Sequence, residues 1–179
     1  MGTLTAIYVR ASDQATANAL LADYPGAFTE PDMPFYAVED PPCGFRPPEA
    51  ELRDLSARLA TDVLWLAFQS VADAFEYHHW DSGLHLRSLV FGCRVEERTW
   101  ERAEGVAEPW EREAIFDRES LVFELEWARE SERGEYERIW RDAVLLPGQV
   151  VPCLDARETA RKVAEYYRLP GWYLNEDAE

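Results

Sequence analysis

Apolar residues follow one another almost without a break from Val63 to Phe68, between Asp62 and Gln69, the pattern of a strand covered on both faces. The stretch continues to Cys93 as two further strands, placing three consecutive strands at the centre of a sheet. Asp81-Ser82-Gly83 fits a three-residue hairpin loop with the glycine in the left-handed conformation. That loop sets Trp80 opposite Leu84, His79 opposite His85, Tyr77 opposite Arg87 and Phe75 opposite Leu89, because loop length dictates register. A two-residue loop at Ser82-Gly83 would instead set Trp80 against His85. Neither face of the hairpin is wholly polar, so it belongs inside the sheet rather than at a solvated edge.

Upstream, Leu4 to Val9 is β-rich, and Ser12 opens a helix carrying Ala17, Leu20, Leu21 and Tyr24 before Pro25-Gly26 stops it. Phe35 to Glu39 reads as a short second strand, followed by the proline-rich connector PPCGFRPPE, read as a rigid spacer. Pro47-Pro48 suits the first turn of a helix whose Leu52, Leu55 and Leu59 form an apolar stripe.

Downstream, weak alternation around Trp100 breaks at Gly105, and Pro109 starts a short helix to Phe116. Leu121, Phe123, Leu125 and Trp127 alternate with Val122, Glu124, Glu126 and Ala128, which favours a strand, although Leu121, Val122, Leu125 and Ala128 would also make a helical face. Tyr136, Ile139, Trp140, Ala143 and Val144 repeat at helical spacing, and Pro147-Gly148 ends that helix. Val150 to Leu154 is expected at a sheet edge because of Pro152. Asp155 with Glu158 resembles a capping box opening a last helix through Tyr167; Trp172 to Leu174 docks, and residues 175–179 form a frayed tail. The expected fold is a single α+β domain over residues 1–179, with a mixed or mainly antiparallel sheet of about five to seven strands and helices packed chiefly on one face.

Charge narrows the function. The 179 residues carry 35 acidic and 18 basic side chains, a formal net charge of -17. Such a field repels nucleic-acid phosphates and anionic lipid surfaces and attracts basic proteins. Lys162 is the sole lysine, which points to a GC-rich prokaryotic coding bias, and salt adaptation would give the same acidic balance. Three cysteines without CxxC spacing, no apolar leader and no membrane-length stretch suggest a reduced, cytoplasmic protein. The cysteines are read as small buried hydrophobes.

Catalytic signatures are missing: there is no GxSxG, no GxxxxGK[ST], no GxGxxG and no papain-like cysteine context. No cofactor is implied, and two histidines without a third ligand do not make a metal site. Two function classes follow. The first is an acidic protein-binding or inhibitory module, in the manner of an immunity protein or antitoxin. It would engage a basic protein through Trp100, Trp110, Glu111 and the acidic helix around Glu132, Glu135 and Glu137. The second is a small-molecule enzyme or ligand-binding domain with an anion or metal pocket on the face of Tyr77, His79, His85 and Arg87. The direction in which that face points separates them.

Overall fold

A computed structural model describes residues 2–41, 46–93 and 98–171. The chain begins with strand β1 (Thr3–Arg10), helix α1 (Gln14–Asp23), strand β2 (Phe35–Glu39) and helix α2 (Glu49–Leu59). Strands β3 (Asp62–Gln69), β4 (Ala74–Asp81), β5 (Leu84–Phe91) and β6 (Trp100–Gly105) follow. Four helices close the described chain: α3 (Pro109–Ala114), α4 (Arg118–Trp127), α5 (Glu130–Asp142) and α6 (Ala156–Tyr167). The strands form one antiparallel sheet in the order β2-β1-β3-β4-β5-β6. The fold is therefore α+β, with the apolar run of β3 near the middle of the sheet, as its continuous hydrophobicity requires.

Side chains of successive residues leave a strand on opposite sides, so each central strand feeds two cores. On one side Leu64, Leu66, Phe68, Tyr77, Leu89 and Phe91 pack with Trp100, Trp110, Trp140 and Val163 from β6 and α3 to α6. On the other, Val63, Trp65 and Trp80 pack with Leu20 of α1 and with Leu52 and Leu55 of α2. Below these are called the α6 side and the α2 side.

The β4–β5 hairpin departs from the three-residue loop. Ser82 and Gly83 both have positive φ, +50° and +82°, the signature of a two-residue turn whose twist matches that of the strands. Asp81 accordingly pairs with Leu84 and Trp80 with His85. The register then shifts, and His79 pairs with Arg87, Tyr77 with Leu89 and Phe75 with Phe91. Leu86 is the extra residue of a bulge, which returns every later side chain of β5 to the opposite face. Gly105 of β6 makes room for it: a Cβ there would sit 1.9 Å from the Leu86 carbonyl oxygen, at a φ of +88°.

Two segments differ from their sequence pattern. Residues 118–127 form a helix rather than a strand, because Asp117 accepts from the backbone N–H of Ser120 at 2.8 Å and nucleates it. Residues 150–154 add no strand. The backbone of Gly148 and Gln149 bonds to Trp100, but Pro152 has no N–H with which to extend a ladder. Asp155 caps α6 as its spacing predicts, accepting from the N–H of Glu158 at 2.9 Å. Cys93 is half-buried, whereas Cys153 is exposed rather than a buried hydrophobe. Cys43, the middle of the proline-rich connector, Trp172 to Leu174 and the tail at 175–179 lie outside the described residues. No helix among the described residues is long and apolar enough to cross a membrane.

Candidate functional site

The hairpin brings Tyr77, His79 and Arg87 together on the α6 side and sends His85 to the α2 side. The histidine pair expected across the ladder therefore does not form; the bulge at Leu86 separates the two rings.

On the α6 side the anion is supplied by the protein itself. Glu108, the residue before α3, turns its carboxylate inward. Oε2 accepts from Tyr77 at 2.7 Å, Tyr167 at 2.8 Å and the Trp110 indole N–H at 2.6 Å. Its other oxygen lies 2.6 Å from Nδ1 of His79, whose Nε2 lies 3.1 Å from Asp62. Arg87 grips Glu111 with two N–H groups, at 2.8 and 2.6 Å, and Glu111 in turn accepts the backbone N–H of Glu108. Three of the four donors expected for an external anion, Tyr77, His79 and Arg87, are thus bonded to two internal carboxylates beneath α3 and α6.

Protonation follows from this arrangement. Burial alone would depress the pKa of His79, but hydrogen bonds to Asp62 and Glu108, with their charges, outweigh it and push the ring up to about 9. His79 is an imidazolium between two carboxylates at neutral pH. Burial raises Glu108, and the bonds from His79, Tyr77 and Trp110 more than reverse this, holding it below the ordinary glutamate value. The His79 hydrogen bond likewise holds Asp62 down. Burial pushes Glu111 up against the pull of Arg87, while burial and the neighbouring Glu108 drive Tyr77 well above an ordinary phenol. The cluster is a closed structural hub, because a pocket for a ligand needs donors left unbonded.

On the α2 side a second polar cluster connects neighbouring strands. His78 lies with Nδ1 2.6 Å from Ser88 Oγ and Nε2 3.0 Å from Glu76, and Nε2 of exposed His85 lies 2.6 Å from the same serine oxygen. Arg102 of β6 bridges Glu49 of α2 and Glu104 at 2.8 Å each. Glu76 lines a cleft of about 860 Å³ at the end of β4 and β5, together with Arg46, Glu49, Gln69 and Cys93. Among the described residues no group of three or more His, Cys, Asp or Glu side chains is placed to hold a metal ion.

The residues expected at a protein interface separate. Trp100, Trp110 and Glu111 are buried and belong to the core and the hub, because each indole N–H and the carboxylate finds an internal partner. Glu132 is half-buried and accepts from the N–H of Arg129 at the start of α5, while Glu135 and Glu137 are exposed. The exposed aromatic surface lies one helix earlier. Phe123 is 60% and Trp127 76% exposed; with Val122 they line one side of α4, a helix with no buried residue. A shallow depression of about 440 Å³ there is bordered by Arg118, Glu119, Val122, Phe123 and Glu126.

Some of this was readable. Glu108-Pro109 followed by Glu111 is a helix-start signal, yet nothing in it aims the Glu108 carboxylate inward. Asp62, Tyr167, His78 and Ser88 carry no local signal, since each acquires a partner from another strand or segment, while Glu76 meets His78 two residues along its own strand. Comparison of the chain with protein-family models, with curated proteins and with solved structures gave no match.

Proposed function

We propose that the protein is an acidic protein-binding module, acting as an immunity protein or antitoxin does, and that it engages a basic partner through the outer face of α4. One observation carries this reading: Phe123 and Trp127, one helical turn apart, stand mostly exposed on an acidic chain, with Glu119, Glu126 and Glu130 exposed around them. Burying such rings against a partner is worth about 2 kcal/mol apiece, and the surrounding carboxylates speed the encounter with a cationic surface. A second copy of the chain is the poorer occupant, since a formal charge of -17 on each repels the other. The face of Tyr77, His79 and Arg87 supports no second reading, because its donors bond Glu108 and Glu111.

The test compares the wild type with a Phe123→Ser/Trp127→Ser double variant, each immobilised and offered cell lysate at low salt. A basic protein should be retained by the wild type, lost from the variant and released by salt, as screening of exposed charges requires. Equal retention by both proteins, or retention insensitive to salt, would overturn the proposal.

A further inference from the structure

The hydrogen bonds on the α2 side have a direction. The Glu76 carboxylate only accepts, so Nε2 of His78 carries its hydrogen. In the neutral ring Nδ1 is then the acceptor, and the Ser88 hydroxyl donates to it across 2.6 Å. The oxygen of Ser88 is left to accept from Nε2–H of His85, also at 2.6 Å. This leaves Nδ1 of His85 as the basic atom of the chain, on a ring exposed to water. His78, Ser88 and Glu76 are buried.

We propose that His85, Ser88 and His78 form a proton relay that carries a proton from solvent to Glu76 at the wall of the cleft. A proton binds Nδ1 of His85. The Nε2 proton of that ring passes to Ser88 Oγ, and the hydroxyl proton of Ser88 passes to Nδ1 of His78. One N–H and one O–H bond break, and one O–H and one N–H form. His85 ends neutral with its hydrogen on Nδ1, Ser88 is again a hydroxyl, and His78 is an imidazolium facing the Glu76 carboxylate. Nε2–H of His78 then passes to Glu76: one N–H bond breaks and one O–H bond forms, His78 ends neutral with its hydrogen on Nδ1, and the proton taken up at the surface resides on the carboxylate at the cleft.

Charged groups flank both ends of the relay. At the outer end Arg102 repels a charged His85, while Glu104 and Glu49, both bonded to Arg102, attract it; burial and Arg102 dominate and hold the ring below the ordinary histidine value. At the inner end Glu76 accepts a charge-assisted bond from His78 at 3.0 Å. Trp80 stacks on His78 with ring centres 5.6 Å apart, and Trp65 is its register partner on β3. Arg46 also lines the cleft. Ser88 donates a single hydrogen, so it joins the two rings in one direction at a time, and the pair holds one extra proton rather than two. The relay delivers that proton to a carboxylate bordering a cleft of small-molecule size, which makes Glu76 a proton-exchanging group there.

Solvent exchange of the His78 ring N–H, followed by ¹⁵N-edited NMR on the full chain, distinguishes relay from packing. Removing His85 uncovers Ser88, so a purely structural role predicts unchanged or faster exchange in His85→Ala. The relay predicts exchange slowed by about 100-fold, the loss expected when a positioned proton-transfer group is removed. Ser88→Ala should slow it equally and Ser88→Thr, which keeps the hydroxyl, should restore it. His85 is exposed, so His85→Ala decides the matter even where a Ser88 variant does not fold. Exchange as fast in His85→Ala as in the wild type would overturn the relay.

Discussion

His78 and His79 are adjacent in the chain and point to opposite sides of the sheet. His79 points to the α6 side, sandwiched between Asp62 and Glu108, and is held as a cation. His78 points to the α2 side, where one short path of hydrogen bonds runs through Ser88 to an exposed ring. The difference is one of closure. The hub around Glu108 has a partner for every donor named above, and its outermost carboxylate, Asp62, is itself paired with Arg10, whereas the chain from Glu76 ends in an exposed imidazole. A buried charge is retained where its partners are complete, and it becomes responsive where one link reaches solvent.

Glu108→Ala should break the sealed side most severely. It leaves the donors of Tyr77, Trp110 and Tyr167 without their acceptor and removes one of the two carboxylates from His79. A loss of about 4 kcal/mol is expected, seen in denaturant unfolding and as a melting temperature lower by about 10 °C.

The pH dependence of stability tests the same side without mutation. The folded pKa of His79, about 9, lies above its ordinary 6.5, so between these values the native state binds the extra proton. Stability from this group is full below pH 6.5 and is lost as pH rises through about 9, amounting to about 3 kcal/mol. Asp62 and Glu108 have the opposite sign: their stabilisation is present above the ordinary carboxylate values of 3.8 and 4.5 and is lost as pH falls below them. Unfolding free energies measured across this range should peak between the two limits, and His79→Gln should flatten the alkaline limb.

Gly105→Ala attacks the geometry that divides the two sides. The new methyl group meets the Leu86 carbonyl and a positive φ, at a cost of about 2 kcal/mol, and it displaces His85 from Ser88. Both effects are measurable, the first by unfolding and the second from the His85 ring resonances. His85→Ala, by contrast, should change stability by only about 0.5 kcal/mol, since the ring is exposed. Phe123→Ser/Trp127→Ser should be as mild, which separates a loss of partner binding from a loss of fold.

Apolar periodicity and punctuation were enough to place most elements. The run at 63–68, the helical spacing from Tyr136 to Trp140 and the Asp155 cap correspond to β3, α5 and α6. The alternation at 121–127 misled, because it fits two periods equally and the Asp117 cap, a local bond worth about 1 kcal/mol, favoured the helix. For the candidate site, grouping Tyr77 and His79 needed only strand alternation, whereas Arg87 joins them because the bulge at Leu86 turns it to the same side. Filling the space between them needed Glu108 and Glu111, and that depends on how α3 docks.

Local chemistry in this chain places most of its strands and helices, gives it an excess of negative charge, and reverses its direction within Asp81-Ser82-Gly83. It does not specify which way the rings of β5 face. That rests on a single extra residue at Leu86, accommodated because Gly105, on a different strand, presents no side chain at the point of closest approach. Periodicity reports bonds between neighbours in sequence, while a bulge is an agreement between strands. With it went the placement of His85, which the bulge parts from His79 and sets beside Ser88.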